Sequence, residues 1–188
     1  MKVGVLGGTF NPVHMGHLQL AAGAVAALGL DQVLWIPARL PPHKPVDGPV
    51  SAEHRCRMVE LAIAGVPAYR VSRVELDRPG PSYTVDTLRE LTRQQPGTAW
   101  YVLVGSDMLA DLPGWRAIDE AMRLATFAAV PRPDAPVAAW PPTVRRLDIP
   151  TVPVSSSEIR DRARRGGPLE GLVPDAVGRY LLEHRLYR

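Results

Sequence analysis

Short apolar runs and helical patterns alternate along this chain, and that alternation restricts the fold more than any other feature of the sequence. Lys2 to Leu6 reads as a buried strand, followed by a glycine turn and a helical stretch from about Gly16 to Leu28 that Gly29 ends. Gln32 to Ile36 is a second strand, stopped by Pro37. Ser51 caps a helix in which Met58, Leu61 and Ala62 recur at helical spacing, and Gly65 closes it. Tyr69 to Leu76 alternates apolar and polar residues as an outer strand would. Ser82 or Thr84 opens a helix through about Gln95, ahead of Pro96 and Gly97. Ala99 to Val104 is the most strand-like run of all. Trp115 to Leu124 reads as a helix, Thr126 to Val130 as a strand, and Arg145 to Ile149 as a weaker strand. Helices from about Ser156 to Arg165 and from Asp175 to about Glu183 complete the chain.

Parallel neighbours need crossover connections, so strands alternating with helices of this length predict βαβ units. The expected fold is α/β: a Rossmann-like, doubly wound, mainly parallel sheet with helices on both faces and a small C-terminal helical portion. At 188 residues the length suits roughly one domain, so residues 1–188 are expected to form a single unit. Hydrophobic residues at 46% and charged residues at 22% match an ordinary globular protein and argue against disorder. The 20 prolines exclude a long helical bundle, because proline ends helices. They concentrate in two stretches, Pro37 to Pro49 and Pro131 to Pro153, which read as stiff surface loops. One cysteine, Cys56, excludes an internal disulfide and any cysteine-based zinc site. The longest apolar stretch, Leu18 to Leu30, is broken by Gln19, Gly23 and Gly29, and a membrane span needs about 20 apolar residues. No membrane association is expected, and a reducing, cytoplasmic home fits best. A net charge of +3 is too mild to imply nucleic acid but suits a small anionic ligand.

The sharpest local signal is GGTFNPVHMGH, Gly7 to His17, directly after the first strand. Ligands of open α/β sheets bind at the carboxyl ends of the strands, where this loop falls. The diglycine lets backbone amides approach a phosphate without a Cβ in the way. The helix that follows offers its N-terminal amides and positive dipole end to an anion. His14 and His17 flank Gly16 at that helix start, three residues apart and so on neighbouring surface positions. Two imidazole N–H groups there would donate to phosphate oxygens as charge redistributes during transfer. A second reading has both histidines simply capping a helix. A metal site is disfavoured because no companion pair of ligands lies nearby. Neither G-x-G-x-x-G nor the Walker pattern is present, which sets aside redox dinucleotide and P-loop folds.

This stretch resembles the signature of the nucleotidyltransferase superfamily that carries an H/T-x-G-H motif. The second half of that signature, a serine-rich segment ending in arginine at a late helix start, is matched by Val154-Ser155-Ser156-Ser157-Glu158-Ile159-Arg160. Read alone, that segment is also an ordinary N-capped surface helix. The two halves are chemically complementary: hydroxyls and helix-start amides hold phosphate oxygens, and a guanidinium binds them in a bidentate manner. The middle of the chain resembles the bacterial nicotinate mononucleotide adenylyltransferases, through WIPARLPPHKP (Trp35 to Pro45), RPGPSYTVDTL (Arg78 to Leu88) and GSDMLADLPGW (Gly105 to Trp115). The ending LVPDAVGRYLLEHRLYR is similar too, so the resemblance spans essentially the whole chain.

The resemblance implies adenylyl transfer from ATP to nicotinate mononucleotide, giving deamido-NAD and pyrophosphate by direct in-line attack, with Mg²⁺ accompanying the ATP. It implies that Gly7, Gly8, Thr9, Phe10, Gly105, Ser156, Ser157 and Ile159 line the ATP site. His14, His17 and Arg160 would act on its phosphates as the catalytic groups. His43, Lys44, Thr84, Asp107, Trp115 and Arg116 would line the mononucleotide site, with Trp115 stacked on the pyridine ring and the amides of Thr84 and Arg116 receiving the carboxylate. Asn11 stands where the family often has Asp, Ser157 where Thr is usual, and Arg116 where some relatives have Tyr; the first two keep a hydrogen-bonding side chain. His54, His184 and Cys56 receive no role. The motifs offer no nucleophile paired with a base, and the sequence leaves the oligomeric state open. Rival readings are a related transferase acting on phosphopantetheine or nicotinamide mononucleotide, and a non-catalytic nucleotide or RNA binder using the arginines from Arg160 to Arg165.

Overall fold

A computed structural model describes residues 1–42, 50–132 and 140–188. Six parallel strands form one sheet: β1 (Lys2–Gly8), β2 (Gln32–Pro37), β3 (Tyr69–Val71), β4 (Ala99–Gly105), β5 (Ala125–Val130) and β6 (Val144–Arg146). Their order across the sheet is β3-β2-β1-β4-β5-β6, the doubly wound arrangement whose strand order reverses beside β1. The helices between them are α1 (Met15–Leu28), α2 (Ala52–Ile63), α3 (Thr84–Gln94) and α4 (Ile118–Leu124), with α5 (Ser156–Arg164) and α6 (Asp175–Glu183) after the last strand. Among the described residues, no helix is long and apolar enough to cross a membrane.

Side chains of a strand alternate between the two faces of its sheet, and here each face has its own core. Leu6, Val33, Trp35, Leu103 and Val130 pack with α1, α2, α5 and α6 on one side. Val3, Val5, Leu34, Ile36, Val102 and Phe127 pack with α3 and α4 on the other. Both faces are covered, as an all-parallel sheet requires. Trp35 anchors the first core with no exposed surface.

Several boundaries differ from the sequence reading, each for a local reason. β1 runs on through Gly7 and Gly8, which stay in register with Ile36 and Pro37. The outer strand expected over Tyr69 to Leu76 ends at Val71. After the Ser72 amide bonds the Trp35 carbonyl (2.9 Å), the chain turns, with the Asp77 amide bonded to Arg73. Trp115 lies outside a helix: short 3-10 turns occupy Ser106–Met108 and Leu112–Gly114, and α4 starts only at Ile118. Ala117, with φ of 48°, is the left-handed break between them. The weak strand falls at Val144–Arg146 rather than Arg145 to Ile149. Two ends are as expected: Ser51 Oγ accepts the His54 amide at the start of α2 (3.2 Å), and Gly29 ends α1 in the left-handed region.

Candidate active site

β1 and β4 are neighbours whose chain connections leave in opposite directions, so a crevice opens beyond their carboxyl ends. Gly7 and Gly8 end β1 and Gly105 ends β4, which puts both glycine segments at the rim of that crevice. The loop from Thr9 to Val13 then leads into α1. Phe10 takes φ of 49° there and turns its ring inward, 2% exposed, against His17 (5.1 Å) and Trp35 (5.7 Å). Any contact from Phe10 to a ligand in the crevice therefore falls to its backbone.

The distant serine-rich segment closes onto this loop. Arg160 Nη1 donates to the Asn11 carbonyl (3.0 Å) and Ser156 Oγ to the Pro12 carbonyl (2.9 Å). Tyr187, near the end of the chain, donates its hydroxyl to Asn11 Oδ1 (2.6 Å). Ser155 Oγ caps α5 by accepting the Glu158 amide (3.2 Å), and the Ser155 and Ser157 hydroxyls lie 3.0 Å apart. The nine-residue α5 thus directs its N-terminus toward the loop that opens α1. Ile159 has no exposed surface and its amide bonds Ser155, so it belongs to the core beneath the cradle.

His14 and His17 stack at the start of α1, with ring centroids 3.7 Å apart. The His14 amide donates to His17 Nδ1 (3.2 Å). That nitrogen is therefore the acceptor, and a neutral His17 ring carries its proton on Nε2, where it is available as a donor. Burial pushes the His14 imidazole down to about 4, with the Arg132 guanidinium adding to the effect. Burial, then His14, then Arg132 hold His17 well below the usual histidine range. Both rings are neutral near pH 7 in the free protein. Gly16 lies between them because a Cβ there would press on the His14 ring at 3.1 Å and on Val154 at 3.2 Å.

Arg132 is the cation the sequence reading missed. It follows β5, its amide donates to Ser106 Oγ (2.8 Å), and its guanidinium reaches the Val154 carbonyl (3.4 Å) and Asp107 (4.0 Å). It is charged and close enough to disfavour protonation of both histidines. The available signal was position: an arginine between two prolines just past the carboxyl end of a strand, where ligands of such sheets bind. Gly105 faces the same corner, since a Cβ on it would collide with Asp107 Oδ1 and lie 3.1 Å from Arg132 Cδ.

A second group of expected residues gathers at the N-terminus of α3. Thr84 is its first residue, so its amide is one that the helix ladder leaves unused. Arg116 stacks over the Tyr83 ring at 4.8 Å and lies 3.9 Å from Asp86, which brings the segment after Leu112–Gly114 against this helix start. Trp115, half-buried, meets the Phe127 ring edge-on at 6.2 Å. His43 and Lys44 lie outside the described residues.

A glycine-ended parallel strand, a histidine pair at a helix start and a second helix start bearing arginine thus meet at one crevice. The family model for cytidylyltransferase-like proteins matches residues 5–162. A probable nicotinate-nucleotide adenylyltransferase of Synechococcus sp. (strain JA-3-3Ab) is 46% identical over 99% of this chain and 94% of that protein. One of Geobacillus thermodenitrificans is 43% identical over 99% of this chain and 86% of its own length. Among solved structures, the Plasmodium falciparum nicotinic acid mononucleotide adenylyltransferase complexed with APC superposes with a TM-score of 0.83 at 17% identity, covering 99% of this chain and 96% of that one. The same enzyme complexed with NaAD gives 0.81 at 18% identity, covering 99% and 97%. The chain belongs to the cytidylyltransferase-like family and, within it, to the nicotinate-nucleotide adenylyltransferases.

Proposed function

We propose that this enzyme transfers the adenylyl group of ATP to nicotinate mononucleotide, giving deamido-NAD and pyrophosphate, a step of NAD biosynthesis. The observation that carries the reading is the convergence of the histidine loop and the start of α5, joined by Arg160 on the Asn11 carbonyl. ATP would lie with its triphosphate across the amides after β1 and at the start of α5. The His17 Nε2 proton, the His14 ring, Arg160 and Arg132 would meet the charge that builds on the departing pyrophosphate. Thr84, Trp115 and Arg116 would seat the pyridine ring and its carboxylate, an aromatic face for a flat ring and amides for an anion.

In the reaction, the 5′-phosphate of the mononucleotide attacks the α-phosphorus and the bond to the bridging oxygen of pyrophosphate breaks. The attacking phosphate needs no general base, and positioning with charge stabilisation supplies the acceleration. Among the described residues, no group of three or more His, Cys, Asp or Glu side chains is arranged to hold a metal. A Mg²⁺ ion would come in on the ATP phosphates and water and would neutralise phosphate charge. Neutral imidazoles suit this cradle, because they donate hydrogen bonds without a competing claim on protons at neutral pH.

The test is pyrophosphate release by purified protein with ATP and each of three acceptors: nicotinate mononucleotide, nicotinamide mononucleotide and phosphopantetheine. The reading expects the acid mononucleotide to be used best and deamido-NAD to be the product. Preferred use of either other acceptor, or no release with any, would refute it.

A further inference from the structure

Arg55, on α2, is 1% exposed, and neither of its hydrogen-bond partners is a carboxylate. Its Nη1 donates to the Thr9 carbonyl at 2.6 Å and its Nη2 to the Arg39 carbonyl at 3.3 Å, while Nε makes no hydrogen bond among the described residues. Burying a guanidinium away from any anion is unfavourable, and carbonyl dipoles offset only part of that. Burial accordingly lowers its affinity for its proton. A position whose only gain were packing would be served at less cost by an apolar side chain.

What the guanidinium joins explains its presence. β1 and β2 run in register to Gly8 and Pro37, and the Ala38 amide adds a bond to the Gly8 carbonyl (2.9 Å). One residue further the chains part. Thr9 enters the histidine loop, directly before Phe10 with its left-handed backbone, and the Arg39 amide turns away to Ser82 Oγ (3.1 Å), two residues before Thr84. We propose that Arg55 is a positioning residue: its planar fork continues the β1–β2 ladder past that point and holds the ATP-phosphate loop and the mononucleotide side of the site at a fixed separation. The Thr9 carbonyl is drawn toward α2 on the same principle by which Arg160 and Ser156 hold the carbonyls of Asn11 and Pro12. One inward-facing guanidinium thus couples two substrate sites, and its positive charge lies directly beneath the loop that would receive the triphosphate. The inference takes the adenylyl-transfer reading for its kinetic readout.

The experiment compares wild type with Arg55→Lys and Arg55→Met. Lysine keeps the charge but cannot span two carbonyls as a planar fork does. Three quantities are read: steady-state kinetics with ATP and nicotinate mononucleotide, melting temperature, and calorimetric binding of α,β-methylene ATP. Arg55→Lys is expected to fold, to lose between about tenfold and a hundredfold in kcat, as a small misplacement of reacting groups does, and to raise KM for both substrates; Arg55→Met is expected to lose more. Wild-type kinetics in Arg55→Lys, a loss confined to one substrate, or failure of Arg55→Lys to fold would overturn the positioning role. If wild type itself releases no pyrophosphate, the function reading fails. The brace is then judged by the ATP analogue alone, whose binding Arg55→Lys must weaken by about tenfold.

Discussion

Arg160 and Asn11 stand 149 residues apart in sequence, yet the arginine's Nη1 donates to the asparagine's carbonyl at 3.0 Å. This bond ties the helix after the last strand to the loop after the first. It makes one cradle of two segments that have no local reason to meet.

Replacing His17 by alanine removes the Nε2 proton from that cradle and also the ring that accepts the His14 amide. Turnover should fall by about two to three orders of magnitude, the usual consequence of losing a donor aimed at developing charge. Pyrophosphate release measures it, and a circular dichroism spectrum like that of wild type shows the fold surviving.

Acid should weaken the free protein through its histidines. The folded-state value of His14 is depressed to about 4 and that of His17 lies well below normal, so the unfolded chain binds more protons than the folded one in the intervening range. Their contribution is complete above about pH 6.5 and is lost as pH falls through about 4, on the order of 3 kcal/mol for His14. Urea midpoints measured from pH 7.5 to 4 should decline across that window. ATP should reverse part of the decline, because phosphate charge favours the protonated rings.

Trp115→Ala should raise KM for nicotinate mononucleotide by roughly tenfold, in line with the worth of a ring stacked on a flat base, and leave KM for ATP nearly unchanged. An effect on ATP alone would show the ring is assigned to the wrong substrate.

Tyr187→Phe deletes a buried hydroxyl that donates to Asn11 Oδ1 at 2.6 Å. The expected cost is about 1 kcal/mol, or a melting temperature lower by roughly 2–4 °C for a protein of this size. Calorimetry would detect it. KM for ATP should rise, since the loop that Asn11 shapes is the one proposed to meet the phosphates.

The strand and helix sequence was readable because each apolar run is short and bounded by glycine or proline, and because Ser51 and Gly29 are local signals that act locally. The length of β3 was less plain: apolar residues recur at Val74 and Leu76, but the adjacent polar pair Ser72-Arg73 breaks the alternation where the backbone turns. The start of α4 was hidden: nothing about alanine announces the left-handed backbone of Ala117. In the site, the loop and α5 were legible as paired motifs. Arg55 and Tyr187 were not, because each acts through a contact distant in sequence and a single arginine or tyrosine carries no pattern; Arg132 was marked only by its place just past β5. Helical periodicity turns the Ile159 side chain into the core while Arg160 faces the loop.

A double-mutant cycle between His17 and Arg160 tests most directly whether both segments hold one triphosphate. His17→Ala, Arg160→Ala and the double variant would be compared in kcat/KM for ATP. Groups acting on the same polyphosphate should couple, so the double variant should lose less than the two single losses combined, by at least about 1 kcal/mol. Losses that simply add, or an Arg160→Ala enzyme as efficient as wild type, would contradict the shared cradle.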